Sequence, residues 1–301
     1  MVATSILQPT AAQTITAPPP FSRSLLPSEL AHLHQHRYAV IPDFCAPWAI
    51  AQLKADVRAV NDCFDACKIG TDTAGDRRHD ESVRRSRQAS IIPPPPNHAG
   101  SVATRNALLD AVGRLRCELQ SSSILRLPEL AQFKTELNYL HYPVGGHYGR
   151  HLDTPYHDAG WQRLGRSASA GGSFSGARTR RVVSFILYLN RAWKAEDGGA
   201  LRVFPPHEFG YGMPESQFSD DYTEDVLPEG GTLVLLMSSD VEHRVRETRA
   251  DRQCVVGWFR EYAELEEPDL AVDSLRTIRQ LDRKATLKSV EGRAAQSGLY
   301  E

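Results

Sequence analysis

From about residue 131 to residue 262 the chain is a succession of short apolar stretches, each ended by glycine, proline or polar turn residues. Residues 136–142 begin the series as an alternating strand, and residues 143–146 (Pro-Val-Gly-Gly) then turn the chain. Many short strands separated by Gly and Pro turns are typical of a jelly roll. We therefore predict a mainly β fold, a double-stranded β-helix (jelly roll) core with flanking helices. The other strand candidates are 181–190, 199–204, 231–237, 242–247 and 252–261.

The preceding region, residues 26–130, reads as a helical support for this core. Apolar residues recur there at intervals of three and four, which is the spacing of one helix face. An exception is residues 77–87, which are charged and lack periodicity, so we expect a surface loop or a mobile flap. The predicted elements are a helix that starts near Pro27, a strand at 38–41, and helices at about 47–67 and 103–120.

The two ends of the chain differ from the middle. Residues 1–25 are rich in Ala, Thr, Ser and Pro and have one charged side chain, Arg23, which predicts a disordered tail. An organellar transit peptide is the alternative reading of this segment. Residues 263–301 are predicted to be a C-terminal helical tail, because apolar residues recur at near-helical spacing over 269–288.

Composition limits the classes of partner. The formal net charge of −2 gives no electrostatic reason to expect nucleic acid or an anionic membrane surface as a partner. No apolar run approaches the length of a membrane span. The five cysteines are odd in number and lack the spacing of a secreted disulfide framework, so we expect them to be reduced. We therefore expect a cytoplasmic or nuclear protein that binds neither nucleic acid nor membrane.

The sequence His151-Leu152-Asp153 predicts two ligands of a metal site. Side chains alternate between the two faces of a strand, so His151 and Asp153 should project to the same side. His243, which follows a buried-looking strand, is the best candidate for a third ligand. Two histidines and one carboxylate on one face of an octahedron leave three positions open, as in non-haem Fe(II) oxygenases.

Arg252 is the candidate partner of an organic anion near this metal. Period two places Arg252 on one face of its strand with Cys254, Val256 and Trp258, and that face is hydrophobic. A buried arginine needs an anionic partner, and its guanidinium fork suits a carboxylate. The alternative is a surface arginine held by an ion pair.

Together these residues resemble the motif of the Fe(II)/2-oxoglutarate-dependent dioxygenases. The flanking sequences resemble the prolyl 4-hydroxylase branch, and within it most closely the hypoxia-inducible-factor prolyl hydroxylases and their protist relatives. The resemblance covers about residues 38–261. The residues that carry it are His151-Leu152-Asp153, Leu187-Tyr188-Leu189-Asn190, residues 198–205, His243-Arg244-Val245, Arg252 and Trp258-Phe259.

The resemblance implies Fe(II) as cofactor and 2-oxoglutarate as co-substrate, and leaves ascorbate open as a further cofactor. His151, Asp153 and His243 would bind the iron. Arg252 and the Tyr188 hydroxyl would bind the 5-carboxylate of 2-oxoglutarate. The same resemblance places Tyr142 near the co-substrate and the substrate proline, Ile186 and Leu201 in the lining of the pocket, and Trp258 near the mouth of the site. A core role is the alternative for Tyr188 and for Trp258.

The implied activity is prolyl 4-hydroxylation of a protein or peptide, with 2-oxoglutarate and O2 converted to succinate and CO2. Implied substrates are a hypoxia-factor-like or Skp1-like regulatory protein, or a ribosomal protein. Residues 156–179 occupy the place of a loop that closes over substrate, or else form a solvated linker. Two alternatives remain: a hydroxylase of a small molecule such as a free amino acid, and a jelly-roll module that binds metal without turnover. The oligomeric state stays open.

Overall fold

The structure of the 301-residue chain is a computed structural model. The described residues are 21–69, 78–92, 94, 99–132, 136–154, 162–163, 178–204, 206 and 223–263. Helix α1 spans Pro27–His36, α2 spans Pro47–Ala59 and α3 spans Val102–Ser121. None of the helices in these ranges is long and apolar enough to span a membrane.

Thirteen strands lie within the described residues. Their bounds are β1 Tyr38–Ile41, β2 Asp65–Ala66, β3 Arg84–Arg85, β4 Arg87–Ile92, β5 Glu136–Tyr142, β6 His147–His151, β7 Gln162–Arg163, β8 Arg178–Tyr188, β9 Leu201–Phe204, β10 Glu224–Val226, β11 Leu233–Met237, β12 Glu242–Val245 and β13 Arg252–Tyr262.

These strands form two antiparallel sheets. The larger sheet has the order β1-β11-β8-β13-β5-β4-β2, with β7 paired to β8, and the smaller has the order β10-β9-β12-β6-β3. Most neighbouring strands are not consecutive in the chain, with β4-β5, β7-β8 and β9-β10 as the exceptions among the described strands, and such crossovers are typical of a jelly roll. The predicted double-stranded β-helix with flanking helices is confirmed.

The two faces of the larger sheet belong to different cores. One face packs against α2 and α3, where Leu53, Leu115 and Phe185 are fully or almost fully buried. The other face is directed toward the smaller sheet and carries Tyr142 and Tyr188. Apolar side chains from both sheets pack together there in an inner core. This inner face, sealed from behind by the helical layer, contains the candidate site.

A buried ion pair ties the helical layer to the sheet. The Asp56 carboxylate of α2 accepts hydrogen bonds from Arg105 of α3 at 3.1 Å and from the Tyr139 hydroxyl of β5 at 2.7 Å. Removing one partner of such a pair would leave an uncompensated charge in the interior. The helical layer is therefore fixed in register against the strand that runs toward the site.

Several predicted elements differ from the structure. The second helix ends at Ala59, eight residues before the predicted end, and is followed by a short 3-10 turn and β2. The loop or flap predicted over 77–87 is instead occupied from residue 84 by β3 and the start of β4. Strands therefore also contribute to the support region 26–130, because β1 and β4 each extend the larger sheet.

Residues 21–25, which the sequence analysis places in a disordered tail, are folded. Phe21 is buried with its ring edge against Trp48, and Ser22 forms a β-bridge to Cys45, so residues 21–25 belong to the folded part. Residues 1–20, most of the loop 156–179 and the helix expected at 269–288 lie outside the described residues.

Candidate metal centre and co-substrate pocket

Two paired strands of the smaller sheet carry the predicted histidine ligands. β6 and β12 are antiparallel, and His151 is the register partner of His243. Side chains of directly opposite residues project from the same face of a sheet. Their imidazole centroids are 4.3 Å apart on the inner face of the smaller sheet.

Asp153 lies beside the two histidines, but it is not part of the strand that the sequence predicts for it. β6 ends at His151, so Asp153 lies in the bend that follows, and strand alternation does not explain its direction. Its carboxylate oxygens are 3.6 Å from His151 Nε2 and 3.8 Å from His243 Nε2. The three ligand atoms lie within 4.8 Å of one another, a spacing that one metal ion could bridge.

Backbone carbonyls fix the tautomer of both histidines. His151 Nδ1 lies 2.8 Å from the Gly149 carbonyl, and His243 Nδ1 lies 3.2 Å from the Val241 carbonyl. A carbonyl oxygen only accepts, so each Nδ1 carries the proton and each Nε2 presents its lone pair toward Asp153. Metal-binding histidines are oriented in this way by a partner on the other ring nitrogen.

The protonation states of Asp153 and His243 favour binding of a metal cation. Burial opposes the charged form of Asp153, but the neighbouring His243 and His151 hold the pKa of its carboxyl well below the usual range. Burial and the nearby His151 lower the pKa of His243 to about 4. At neutral pH the cluster therefore has an ionised carboxylate and a neutral His243, which are the ligand forms that a metal ion requires.

Arg252 lies on the inner face of the larger sheet and is 1% exposed. Its Nε donates to the Gly199 carbonyl at 2.9 Å, and its Nη1 lies 3.7 Å from Cys254 Sγ. The remaining Nη2 is buried without a hydrogen-bond partner in the described part of the chain, and so is the Tyr188 hydroxyl. The guanidinium carbon is 5.1 Å from the centre of the Tyr188 ring.

Two buried donors that face one region without an acceptor indicate a ligand. An unsatisfied buried polar group costs about 1–3 kcal/mol, and more if charged, so such groups are kept where a ligand satisfies them. A carboxylate can accept from Arg252 Nη2 and from the Tyr188 hydroxyl together. These orphaned atoms fit the 5-carboxylate of 2-oxoglutarate. Burial raises the pKa of the Tyr188 phenol, so it remains a donor.

The other predicted pocket residues lie on the same inner face. Tyr142 is the register partner of Arg252, and its ring centre is 4.8 Å from the guanidinium carbon. Ile186 and Leu201 are buried in the inner core with Tyr188. Arg252 thus lies among buried aromatic and apolar side chains of one sheet, and the metal-ligand cluster lies on the facing sheet.

Trp258 packs at the edge of the inner core with its indole Nε1 unpartnered among the described residues. The Arg181 guanidinium lies 3.8 Å from its ring centre. Arg181 also donates to the Asp153 carbonyl at 3.1 Å and to the Glu136 carboxylate at 2.9 Å. One arginine therefore connects the backbone of a candidate metal ligand to the tryptophan that the family resemblance places at the mouth of the site.

The sequence does not predict a role for three side chains near the metal cluster: Tyr148, Arg84 and Arg181. Tyr148 stacks on His151 with ring centroids 3.7 Å apart, although an interval of three residues should place them on opposite faces. A β-bulge explains this, since Tyr148 to His151 in β6 opposes only Val245 to His243 in β12. The sequence predicts a loop or flap around Arg84, and it places Arg181 at the start of a strand without a role.

Comparisons with known proteins agree with this geometry. Residues 137–260 match the sequence model of the 2OG-Fe(II) oxygenase superfamily. The chain contains a 2OG-Fe(II) oxygenase domain. The matched segment includes all three candidate metal ligands and Arg252, so the domain is that of a 2-oxoglutarate-dependent dioxygenase that uses Fe(II).

Solved structures place this dioxygenase near the prolyl 4-hydroxylases. It is similar to a prolyl 4-hydroxylase from Pseudomonas putida, with 25% identity, a TM-score of 0.55, and coverage of 78% of this chain and 97% of that chain. A prolyl hydroxylase from Trichoplax adhaerens, in complex with a hypoxia-inducible-factor peptide, matches with 18% identity, a TM-score of 0.56, and coverage of 77% and 86%.

A third solved structure shares the fold. EvdO2 from Micromonospora carbonacea, in complex with 2-oxoglutarate, is similar with 17% identity, a TM-score of 0.50, and coverage of 82% of this chain and 96% of that chain. The recognised family and the prolyl 4-hydroxylase-like fold are thus confirmed.

Proposed function

We propose that this dioxygenase is a prolyl 4-hydroxylase that acts on proline in a protein or peptide. Support comes from the 25% identity to the Pseudomonas putida prolyl 4-hydroxylase over 97% of its length. The proline specificity rests on that likeness. The 2-oxoglutarate dependence rests on the buried pair of unsatisfied donors, Arg252 Nη2 and the Tyr188 hydroxyl, on the sheet that faces the His-Asp-His cluster. Fold alone would not assign this activity.

The residues have separate tasks in this reaction. His151, Asp153 and His243 would hold Fe(II), which when bound supplies the chemistry that couples decarboxylation of 2-oxoglutarate to hydroxylation by O2. Arg252 and Tyr188 hold the far carboxylate of the co-substrate. Buried apolar residues, Ile186 and Leu201 among them, exclude water from the site.

The substrate proline would enter beside Trp258. The indole Nε1 of Trp258 is a buried donor, and a peptide carbonyl next to the target proline could accept a hydrogen bond from it. Arg181 sets the position of this indole and of the Asp153 backbone. Hydroxylation therefore takes place where the metal cluster and the mouth of the site meet.

The test is succinate formation from 2-oxoglutarate in the presence of Fe(II), with and without proline-containing peptides. We expect peptide-stimulated turnover in the wild type and none in Asp153→Ala. Stimulation by free amino acids alone would favour the small-molecule hydroxylase, and no turnover in any condition would favour a metal-binding module without activity. Mass spectrometry of the peptide, with a gain of one oxygen on proline, completes the assignment. Ascorbate dependence is measured in the same assay and stays a prediction.

A further inference from the structure

A second arginine, Arg84, lies beside the metal-ligand cluster. β3 pairs with β6, and Arg84 is the register partner of Tyr148. Its guanidinium carbon is 4.4 Å from the centre of the Tyr148 ring, which in turn stacks on the His151 imidazole at 3.7 Å. A single aromatic ring therefore separates this cation from a metal ligand.

No acidic side chain of the described residues forms an ion pair with Arg84. Its Nε donates to the Ser86 hydroxyl at 2.8 Å, which leaves both Nη groups for another acceptor. Burial opposes the charge, but the fields of Tyr142, Cys67, Tyr148 and Asp153 act on the guanidinium, and the net effect raises its pKa. Arg84 thus keeps its charge on the inner face of the site.

The groups around Arg84 do not neutralise it at physiological pH. Phenols and thiols are ordinarily neutral at physiological pH, so Tyr142, Tyr148 and Cys67 supply no negative charge. Asp153 is ionised, but its carboxylate faces the two histidines and the metal position. Arg181, the other arginine that acts on Asp153, is already paired with Glu136.

A count of formal charges in the loaded site shows that the positive charge of Arg84 has no counter-ion. Fe(II), the Asp153 carboxylate, the two carboxylates of 2-oxoglutarate and Arg252 together sum to zero. Arg84 then adds a positive charge that neither the ligand set nor the co-substrate compensates. Arg84 is partly buried, and a positive charge in a site that excludes water is costly without a counter-ion, so a further anion is expected in the loaded site.

We propose that Arg84 binds a carboxylate of the prime substrate, next to the carbon that is hydroxylated. This deepens the proposed function, on which it rests, by naming a substrate feature. The carboxylate has two possible sources, the side chain of an acidic residue adjacent to the target proline or the α-carboxylate of a proline that is free or C-terminal. Tyr142 and Tyr148 line the same subsite and keep their hydroxyls as donors to that carboxylate.

Three matched pairs of probes test the proposal. They are a peptide with aspartate before the proline and its asparagine counterpart, a peptide with aspartate after the proline and its asparagine counterpart, and L-proline with L-prolinamide. Binding to Zn(II)-loaded, 2-oxoglutarate-saturated protein is measured by calorimetry, so the readout does not depend on turnover. In at least one pair the carboxylate member should bind the wild type about tenfold more tightly or better. The pair that shows the preference identifies the source.

Variants assign the preference to one side chain. Arg84→Gln should reduce the ratio within that pair to near one, while Arg84→Lys should retain part of it because the charge remains. Arg85→Gln is the matched control, since Arg85 is exposed on the same short strand and should leave the ratio unchanged. Circular dichroism and thermal melting show whether each variant keeps the fold.

The remaining outcomes contradict the proposal. It is overturned if no pair shows a carboxylate preference in the wild type, including the case in which no probe binds. If Arg84→Gln weakens 2-oxoglutarate binding in the absence of any prime substrate, Arg84 serves the co-substrate and the proposal is also overturned. Failure of the folded, metal-loaded wild type to bind 2-oxoglutarate would instead overturn the proposed function, and this inference with it.

Discussion

His151 and His243 are register partners on adjacent antiparallel strands, with their imidazole centroids 4.3 Å apart. The hydrogen-bond ladder between β6 and β12 therefore fixes the separation of two metal ligands. Carbonyls of Gly149 and Val241 fix the rotation of each ring. Only Asp153 depends on a bend outside the ladder, and Arg181 holds the backbone of that bend. Backbone hydrogen bonds thus position all three candidate ligands.

The first prediction concerns Arg252. In Arg252→Lys the charge remains but the guanidinium fork is lost, so the 5-carboxylate should lose a charge-assisted hydrogen bond. We expect the dissociation constant of 2-oxoglutarate to rise about tenfold or more, with metal stoichiometry unchanged. Calorimetric titration of the Zn(II)-loaded protein measures both. Arg252→Ala should raise the apparent Michaelis constant for 2-oxoglutarate, and a comparable loss of iron in either variant would count against the assigned role.

The second prediction concerns Gly199, which has φ +66° and whose carbonyl accepts the Arg252 Nε hydrogen bond. A Cβ at this position would lie 2.9 Å from Thr248 Oγ1 and 3.1 Å from Arg252 Cδ. Gly199→Ala should therefore displace the Arg252 side chain and weaken 2-oxoglutarate binding. Gly113→Ala, where a Cβ would meet nothing within 4 Å, is the control for the effect of an added methyl. Unaltered co-substrate affinity in Gly199→Ala would show that the close approach does not position Arg252.

The third prediction concerns Arg181. Arg181→Lys removes the fork that joins Glu136, the Asp153 carbonyl and the Trp258 ring. Loss of an outer partner of a metal site typically lowers metal affinity 10- to 100-fold, and we expect roughly tenfold here. Competition with a chelator measures the affinity, and tryptophan fluorescence reports the indole environment. Arg180→Lys, at the neighbouring position, should change neither the metal affinity nor the tryptophan fluorescence. Equal effects in both variants would argue for a general effect on strand β8.

The fourth prediction concerns pH. The pKa of His243 is lowered to about 4 in the folded protein, against an ordinary value of 6.5. The unfolded chain therefore takes up a proton that the folded chain does not as the pH falls from about 6.5 to 4, and the metal-free protein loses stability over that window. The loss from this group is on the order of 3 kcal/mol.

Chemical denaturation of the metal-free protein at a series of pH values between 4 and 7 checks this. His243→Gln, which cannot titrate, should show a smaller decline in the free energy of unfolding over the same range. Identical slopes for the variant and the wild type would mean that His243 does not contribute to the acid sensitivity.

The sequence predicts the main strands and helices because each depends on a local pattern of apolar residues. The alternation in residues 136–142 and the apolar spacing in 103–120 predicted β5 and α3 to within a residue. Arg252 was also predictable, since an arginine in an otherwise hydrophobic strand face needs an anion. These inferences required only the period of an element and the chemistry of one side chain.

The rest depends on contacts that no local pattern encodes. The bulge in β6 reverses the alternation and places Tyr148 on His151, and a single inserted residue leaves no compositional signal. Arg84 lies in a two-residue strand that exists only because β6 is beside it. The role of Arg181 requires knowing that β8 passes behind the bend at Asp153. Such pairings are set by tertiary structure.

Metal stoichiometry tests the central claim most directly. Anaerobic calorimetric titration with Fe(II) should give one ion per chain for the wild type and no specific binding for Asp153→Ala, while circular dichroism shows the same fold for both. The same affinity and stoichiometry in the folded Asp153→Ala variant would contradict the convergence of His151, Asp153 and His243 on a single ion.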